Sequence, residues 1–268
     1  MDNIMAMQGI QPELRRAFGK LGSLAIPFGT PVNAVASFAT LAAADLAITA
    51  VGDKVIFAGN EYEKVAANPD AEKGEWDDAT ALAARINALA GWNAAADNGA
   101  VVITAAVRGP AFDGNIATIE ISEDTTAGGG AAAKATATIA AATIARLAIG
   151  DTVGFADSVF TMAAATSVQD NEFADLAGLI ACIDAMDDWT AVEDTGAIDI
   201  EAANNGEEFN DITIMVSLRR VTAGGVDGTP GFQGAVCCDA TYIYVCTATD
   251  TTIQNNNWER LANALQSF

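Results

Sequence analysis

The sequence predicts an α+β protein built from two tandem copies of one domain. An apolar phrase recurs about 97 residues apart, each copy holds one helical stretch among short alternating runs, and turn pairs separate those runs. Thr40, Leu41, Ala42, Ala43 and Ala44 return as Thr138, Ile139, Ala140, Ala141 and Ala142. Gly52, Asp53, Val55 and Phe57 return as Gly150, Asp151, Val153 and Phe155, and Tyr62 answers to Phe160. Leu82, Ile86, Leu89 and Trp92 match Leu179, Ile183, Met186 and Trp189, and the closing phrase from Thr126 to Gly129 matches that from Thr222 to Gly225. The offset falls from 98 (150 − 52) to 96 (222 − 126), so the copies differ by single-residue length changes of the kind loops tolerate.

The resulting division is 1–34 as an N-terminal arm with a short helix, 35–130 as repeat 1, 131–228 as repeat 2, and 229–268 as a C-terminal β-hairpin module. In the arm, Pro12 suits a first helical position and Leu14, Phe18 and Leu21 are spaced as one apolar face. Arg15, Arg16 and Lys20 make that arm basic, so with Phe18 they are its candidate anchoring residues.

Within repeat 1, Lys54 to Phe57 and Glu61 to Val65 read as a hairpin turning at Gly59 and Asn60; Asp157 and Ser158 hold that turn in repeat 2. Asp77 to Ala90 and Glu172 to Met186 have helical apolar spacing, with Asp77, Asp78, Glu172 and Asp175 near the starts, where negative charge suits the helix dipole. A Trp strand, a turn at Asn98 and Gly99 or Thr195 and Gly196, and an alternating strand follow. Ile116 to Ile121 and Ile212 to Val216 complete a small, mainly antiparallel sheet in each copy, with the helix packed across it. Trp92 and Trp189 are expected in the core at that junction. Gly128 to Gly130 and Gly224 to Gly231 read as joints. Beyond them, Phe232 to Cys237 and Thr241 to Thr247 form a hairpin with Tyr242, Tyr244 and Cys246 on one side; such a hairpin is marginal alone and must pack on something.

Thirteen basic and thirty-five acidic residues give a formal charge of −22, which repels phosphate backbones and anionic lipid. Neither nucleic acid nor a membrane is an expected partner. No apolar run is long enough to span a bilayer, and the first twenty residues lack the pattern of a secretory signal. Cys182, Cys237, Cys238 and Cys246 show no zinc spacing and are expected to be reduced packing residues, the alternative being a disulfide or an inter-subunit link. The chain has no histidine, which removes Ser/His and Cys/His nucleophile pairs and the usual metal ligand. Carboxylate pairs such as Asp77 with Asp78, Asp187 with Asp188 and Glu207 with Glu208 are too ordinary in so acidic a chain to single out an enzyme. No phosphate-binding loop or EF-hand is present, so no catalytic residue, cofactor or metal is expected.

The stretch Gly228, Thr229, Pro230, Gly231, then Asp239 to Thr249 with Tyr242 and Tyr244, then Trp258, Glu259 and Arg260, resembles the ending of tailed-phage capsid decoration and head fiber proteins. It departs from them in the insertion from Thr251 to Asn257 and in its tail from Leu261 to Phe268, which leaves the last strand displaced or partly helical. The repeat resembles modules of phage virion proteins. The resemblance implies a non-enzymatic virion component made in the host cytoplasm and bound to the outer capsid through the major capsid protein or other virion proteins. A homo-oligomer, for instance a trimer on the C-terminal hairpins, is expected, with Tyr242, Tyr244 and Trp258 as assembly residues. The alternative is a tail, baseplate or fiber-base protein that binds host surface or carbohydrate.

Overall fold

The computed structural model describes residues 34–225, 235–238, 243–247 and 258–260. Among the described residues the protein is α+β, mostly sheet with four α-helices. Residues 36–226 form one compact unit. Its first half contains β1 (Ala36–Leu41), α1 (Ala43–Ala47), β2 (Lys54–Phe57), β3 (Asn60–Glu63), α2 (Ala79–Asn87), β4 (Trp92–Asp97), β5 (Ala100–Arg108) and β6 (Ile116–Thr125). Its second half contains β7 (Thr136–Ile139), α3 (Ala141–Ile144), β8 (Thr152–Phe155), β9 (Ser158–Met162), β10 (Glu172–Phe173), α4 (Leu176–Asp184), β11 (Trp189–Asp194), β12 (Ala197–Ala202) and β13 (Thr213–Val221).

Each half owns a three-stranded antiparallel sheet, ordered β1-β5-β4 and β7-β12-β11. The remaining strands do not stay apart as the sequence reading expected. They join in one seven-stranded sheet, β10-β9-β8-β13-β6-β2-β3, in which β6 and β13 pair antiparallel at the centre. The register is itself nearly symmetric: Ile119 faces Leu218, Ile121 faces Val216, and Glu120 faces Ser217. At an offset of 97, Ile119 corresponds to Val216, Ile121 to Leu218 and Glu120 to Ser217, so exchanging the halves maps the pairing onto itself.

Alternation decides which face is covered. Ala117, Ile119, Ile121, Ile214, Val216 and Leu218 are buried, while Thr118, Glu120, Met215 and Ser217 lie on the opposite face. The buried face meets the three-stranded sheets through edge-to-face aromatic contacts: Phe57 on Trp92 and Phe155 on Trp189, each with centroids 4.7 Å apart. Trp92 continues to Phe112 and Trp189 to Phe209. One hydrophobic cluster runs through both halves. The two predicted core tryptophans are therefore in it, and Trp76, which the sequence reading passed over, joins them at 1 % exposure.

Local chemistry sets the element ends. Asp78 accepts from the Ala81 amide at 2.7 Å and Asp175 from the Gly178 amide at 2.8 Å, capping α2 and α4. The second helix thus starts later than predicted, because Glu172 and Phe173 form β10 beside β9. The first hairpin turns one residue earlier than expected: Phe57 faces Asn60, and Ala58 and Gly59 take φ of 49° and 77°. Its counterpart has Phe155 facing Ser158 with Ala156 at φ 50°.

A second compact unit holds the C-terminal strands. In it β14 (Val236–Cys238), β15 (Ile243–Cys246) and β16 (Trp258–Arg260) form an antiparallel sheet in the order β14-β15-β16. The expected hairpin therefore gains a third strand, and Trp258 opens that strand instead of a helix.

Candidate functional site

The recurring Gly-Asp phrase holds the central sheet. Gly52 and Gly150 adopt φ of 95° and 93°, and the aspartate that follows each is buried. Asp53 accepts from the Ala50 amide at 2.6 Å through one oxygen and from the Ser122 amide of β6 at 2.9 Å through the other. Asp151 does the same with Ala148 at 2.8 Å and Arg219 of β13 at 2.7 Å. Each carboxylate closes a turn and fastens that turn to its half's central strand, with one backbone amide on each of its oxygens.

The closing Thr-Ala-Gly-Gly phrase clasps one half to the other. The Thr126 hydroxyl donates to the Phe209 carbonyl at 2.6 Å and accepts from the Ile212 amide at 2.9 Å. Reciprocally, the Thr222 hydroxyl donates to the Phe112 carbonyl and accepts from the Asn115 amide. Ala127 bridges to Thr136, and Ala223 bridges back to Phe38, so the end of each half meets the start of the other. A Cβ on Gly129 would strike the Gly206 carbonyl, and one on Gly225 the Gly109 carbonyl. These glycines were read as joints, yet they are packed contacts that only a hydrogen side chain permits. Residues 226–231 of the second predicted joint lie outside the described residues.

One side of the junction is ionic. Asp45 on α1 is fully buried; Arg146 donates to one of its oxygens at 2.7 Å and Arg220 of β13 to the other at 2.9 Å. Arg220 also reaches Asp151 at 3.3 Å. Burial disfavours the Arg220 charge, but the hydrogen bond and attraction to Asp45, reinforced by Asp151, outweigh it and raise its pKa above the ordinary value. The charged groups here hold backbone and each other.

The other acidic residues show equally local roles. Asp78 caps a helix, while Asp187, Asp188, Glu207 and Glu208 are exposed. Among the described residues no group of three or more Cys, Asp or Glu is placed to hold a metal ion. Burial pushes the Cys182 thiol pKa up, and this cysteine is a buried free thiol. No helix among the described residues is long and apolar enough to cross a membrane.

Of the predicted anchoring and assembly residues, Arg15, Arg16, Phe18, Lys20 and Tyr242 lie outside the described residues. Tyr244 and Trp258 are brought together on β15 and β16: Tyr244 pairs with Arg260, and Trp258 lies directly opposite buried Cys246. Sequence reasoning missed the Asp45, Arg146, Arg220 and Asp151 cluster. The available signal was Arg146 and Arg220 standing where repeat 1 has Ile48 and Glu123.

No family model, curated protein or solved structure matches the chain.

Proposed function

We propose that this chain is a non-enzymatic structural protein of a tailed-phage virion, a decoration or head fiber protein on the outer capsid surface. The observation that carries the reading is the C-terminal unit, where strand β15, which carries Tyr244, sits between β14 and the strand opened by Trp258. Its residues are those on which the resemblance to decoration proteins rests. The body supports the reading because its recurring phrases serve structure: Asp53 and Asp151 fasten turns to the central strands, and Thr126 and Thr222 fasten one half to the other. A charge of −22 also suits a protein displayed densely without casual association.

In the finer form of this proposal the body arose by duplication of one α+β domain, whose two copies became interlocked through β6 and β13. The C-terminal unit assembles copies of the chain, and the basic arm or that unit attaches to the major capsid protein or another virion protein. Neither nucleic acid nor lipid is a partner. Immunogold labelling of particles of the phage that encodes the chain tests the location. Gold over the head supports the proposal; gold confined to the tail or baseplate moves the protein to the host-binding alternative, and unlabelled particles overturn a virion role.

A further inference from the structure

The chain contains two Asn-Gly pairs, Asn98 with Gly99 and Asn205 with Gly206. In such a pair the glycine nitrogen can attack the asparagine side-chain carbonyl, because no Cβ on the glycine blocks the approach. Ring closure requires rotation about the bond between the asparagine Cα and its carbonyl carbon, so the local fold decides which pair reacts. Both asparagines are exposed, and exposure does not separate them. Their backbones do. Asn98 and Gly99 make the two-residue turn between β4 and β5, with φ of 49° and 84°, and Asp97 pairs with Ala100 across it. The Asn98 side-chain amide is tied as well, donating to the Asp97 carboxylate at 2.8 Å. Asn205 and Gly206 instead lie in the loop that follows β12. Among the described residues, neither the Asn205 side chain nor the Gly206 N–H makes a hydrogen bond. The Glu208 carboxylate fills the space that a Cβ on residue 206 would take, which puts a proton acceptor beside that N–H.

We propose that Asn205 and Gly206 form a site of self-modification, at which the native chain converts Asn205 to aspartate and isoaspartate while Asn98 is protected by its turn. Glu208 takes the proton of the Gly206 nitrogen as that nitrogen bonds to the Asn205 Cγ. The bond from Cγ to the side-chain nitrogen breaks, and that nitrogen leaves as ammonia with the proton. Water then opens the five-membered succinimide at either carbonyl, and nothing is oxidised or reduced. Opening at the main-chain carbonyl leaves aspartate joined to Gly206 through its side chain, which is isoaspartate; opening at the other leaves ordinary aspartate. Either product adds a carboxylate beside Glu207 and Glu208. Isoaspartate also adds a carbon to the main chain next to Gly206, whose carbonyl packs on Gly129 in the clasp between the halves. This inference rests on the contrast between the two Asn-Gly pairs and is independent of the virion proposal.

The test is incubation of the full chain at mildly alkaline pH, native and in guanidinium chloride, followed by peptide mapping with mass spectrometry and chromatographic separation of aspartate from isoaspartate. In the native chain Asn205 should convert and Asn98 should persist. In denaturant the two should react at similar rates, since nothing then holds the turn. Glu208→Gln should slow the native reaction about tenfold, short of what a dedicated base supplies because this carboxylate is exposed. The same variant should leave the rate in denaturant unchanged. A native chain in which Asn205 stays intact, or in which Asn98 reacts as fast as Asn205, would overturn the proposal. An unaltered native rate in Glu208→Gln, with circular dichroism reporting an intact fold, would overturn the role given to Glu208.

Discussion

Replacing Asp45 by Asn removes the one carboxylate shared by Arg146 and Arg220. The carboxylate is fully buried, whereas the Arg146 and Arg220 side chains are 34 % and 18 % exposed. Breaking a wholly buried pair costs about 3–5 kcal/mol, because the remaining charge stays desolvated and alone. Here Arg220 keeps Asp151 at 3.3 Å, Arg146 can turn to water, and Asn still accepts one hydrogen bond. The loss should therefore fall below that range, at about 2–3 kcal/mol. Denaturant unfolding followed by tryptophan fluorescence measures it, since Trp76, Trp92 and Trp189 all lie in the body. The exposed pair of Lys54 and Glu61 supplies the contrast: Glu61→Gln should cost little, and high salt should remove even that. Asp45→Asn combined with Arg220→Met should show a coupling of about 1–3 kcal/mol. An Asp45→Asn cost no larger than that of Glu61→Gln, or no coupling in the cycle, would refute the idea that this cluster locks the halves together.

Three further outcomes follow from the packing. Tyr62 is 5 % exposed and its hydroxyl has no hydrogen-bond partner among the described residues, whereas its counterpart is the fully buried Phe160. Tyr62→Phe should stabilise the protein by about 1 kcal/mol in thermal unfolding. Burial raises the Tyr62 pKa, so the folded state holds that proton longer than the unfolded state. Its contribution is thus intact below about pH 10 and is lost as pH rises through the folded value, a loss absent in Tyr62→Phe. Gly129→Ala should cost about 1–3 kcal/mol because its Cβ meets the Gly206 carbonyl, while neighbouring Gly130→Ala, facing open space, should be near neutral in the same melts. The Cys182 thiol should resist a disulfide reagent in the native protein and react after denaturation, as peptide mapping of the labelled chain would show.

The helices and the aromatic core were legible because their signals are local. Asp78 and Asp175 stand where caps belong, and Trp92 and Trp189 follow helices with a clear apolar face. The turns at Asn98, Gly99 and Thr195, Gly196 were legible for the same reason, since Gly tolerates positive φ. The hairpins were misplaced by one residue because Ala58 and Ala156 take positive φ, a conformation their side chains disfavour. Strands β1 and β7 escaped notice because their short, partly Ala-built runs carry little strand preference, and they form by pairing with β5 and β12.

The joining of β6 to β13 could not be read from either copy alone. Both strands alternate properly for a half-buried sheet, and alternation says which face is covered without saying which strand lies alongside. The same holds for Asp45 and Arg220, 175 positions apart, whose partnership depends on that pairing. Tyr244 and Trp258 were recognised from a resemblance, and the strands bring them onto adjacent members of one sheet.

The proposed role is tested most directly by co-sedimentation of purified chain with capsids stripped of it, comparing the full chain with versions lacking residues 1–30 or 231–268. The proposal predicts that the full chain pellets with capsids and that one truncation abolishes this while leaving the body folded. A folded full-length chain that remains in the supernatant would contradict it.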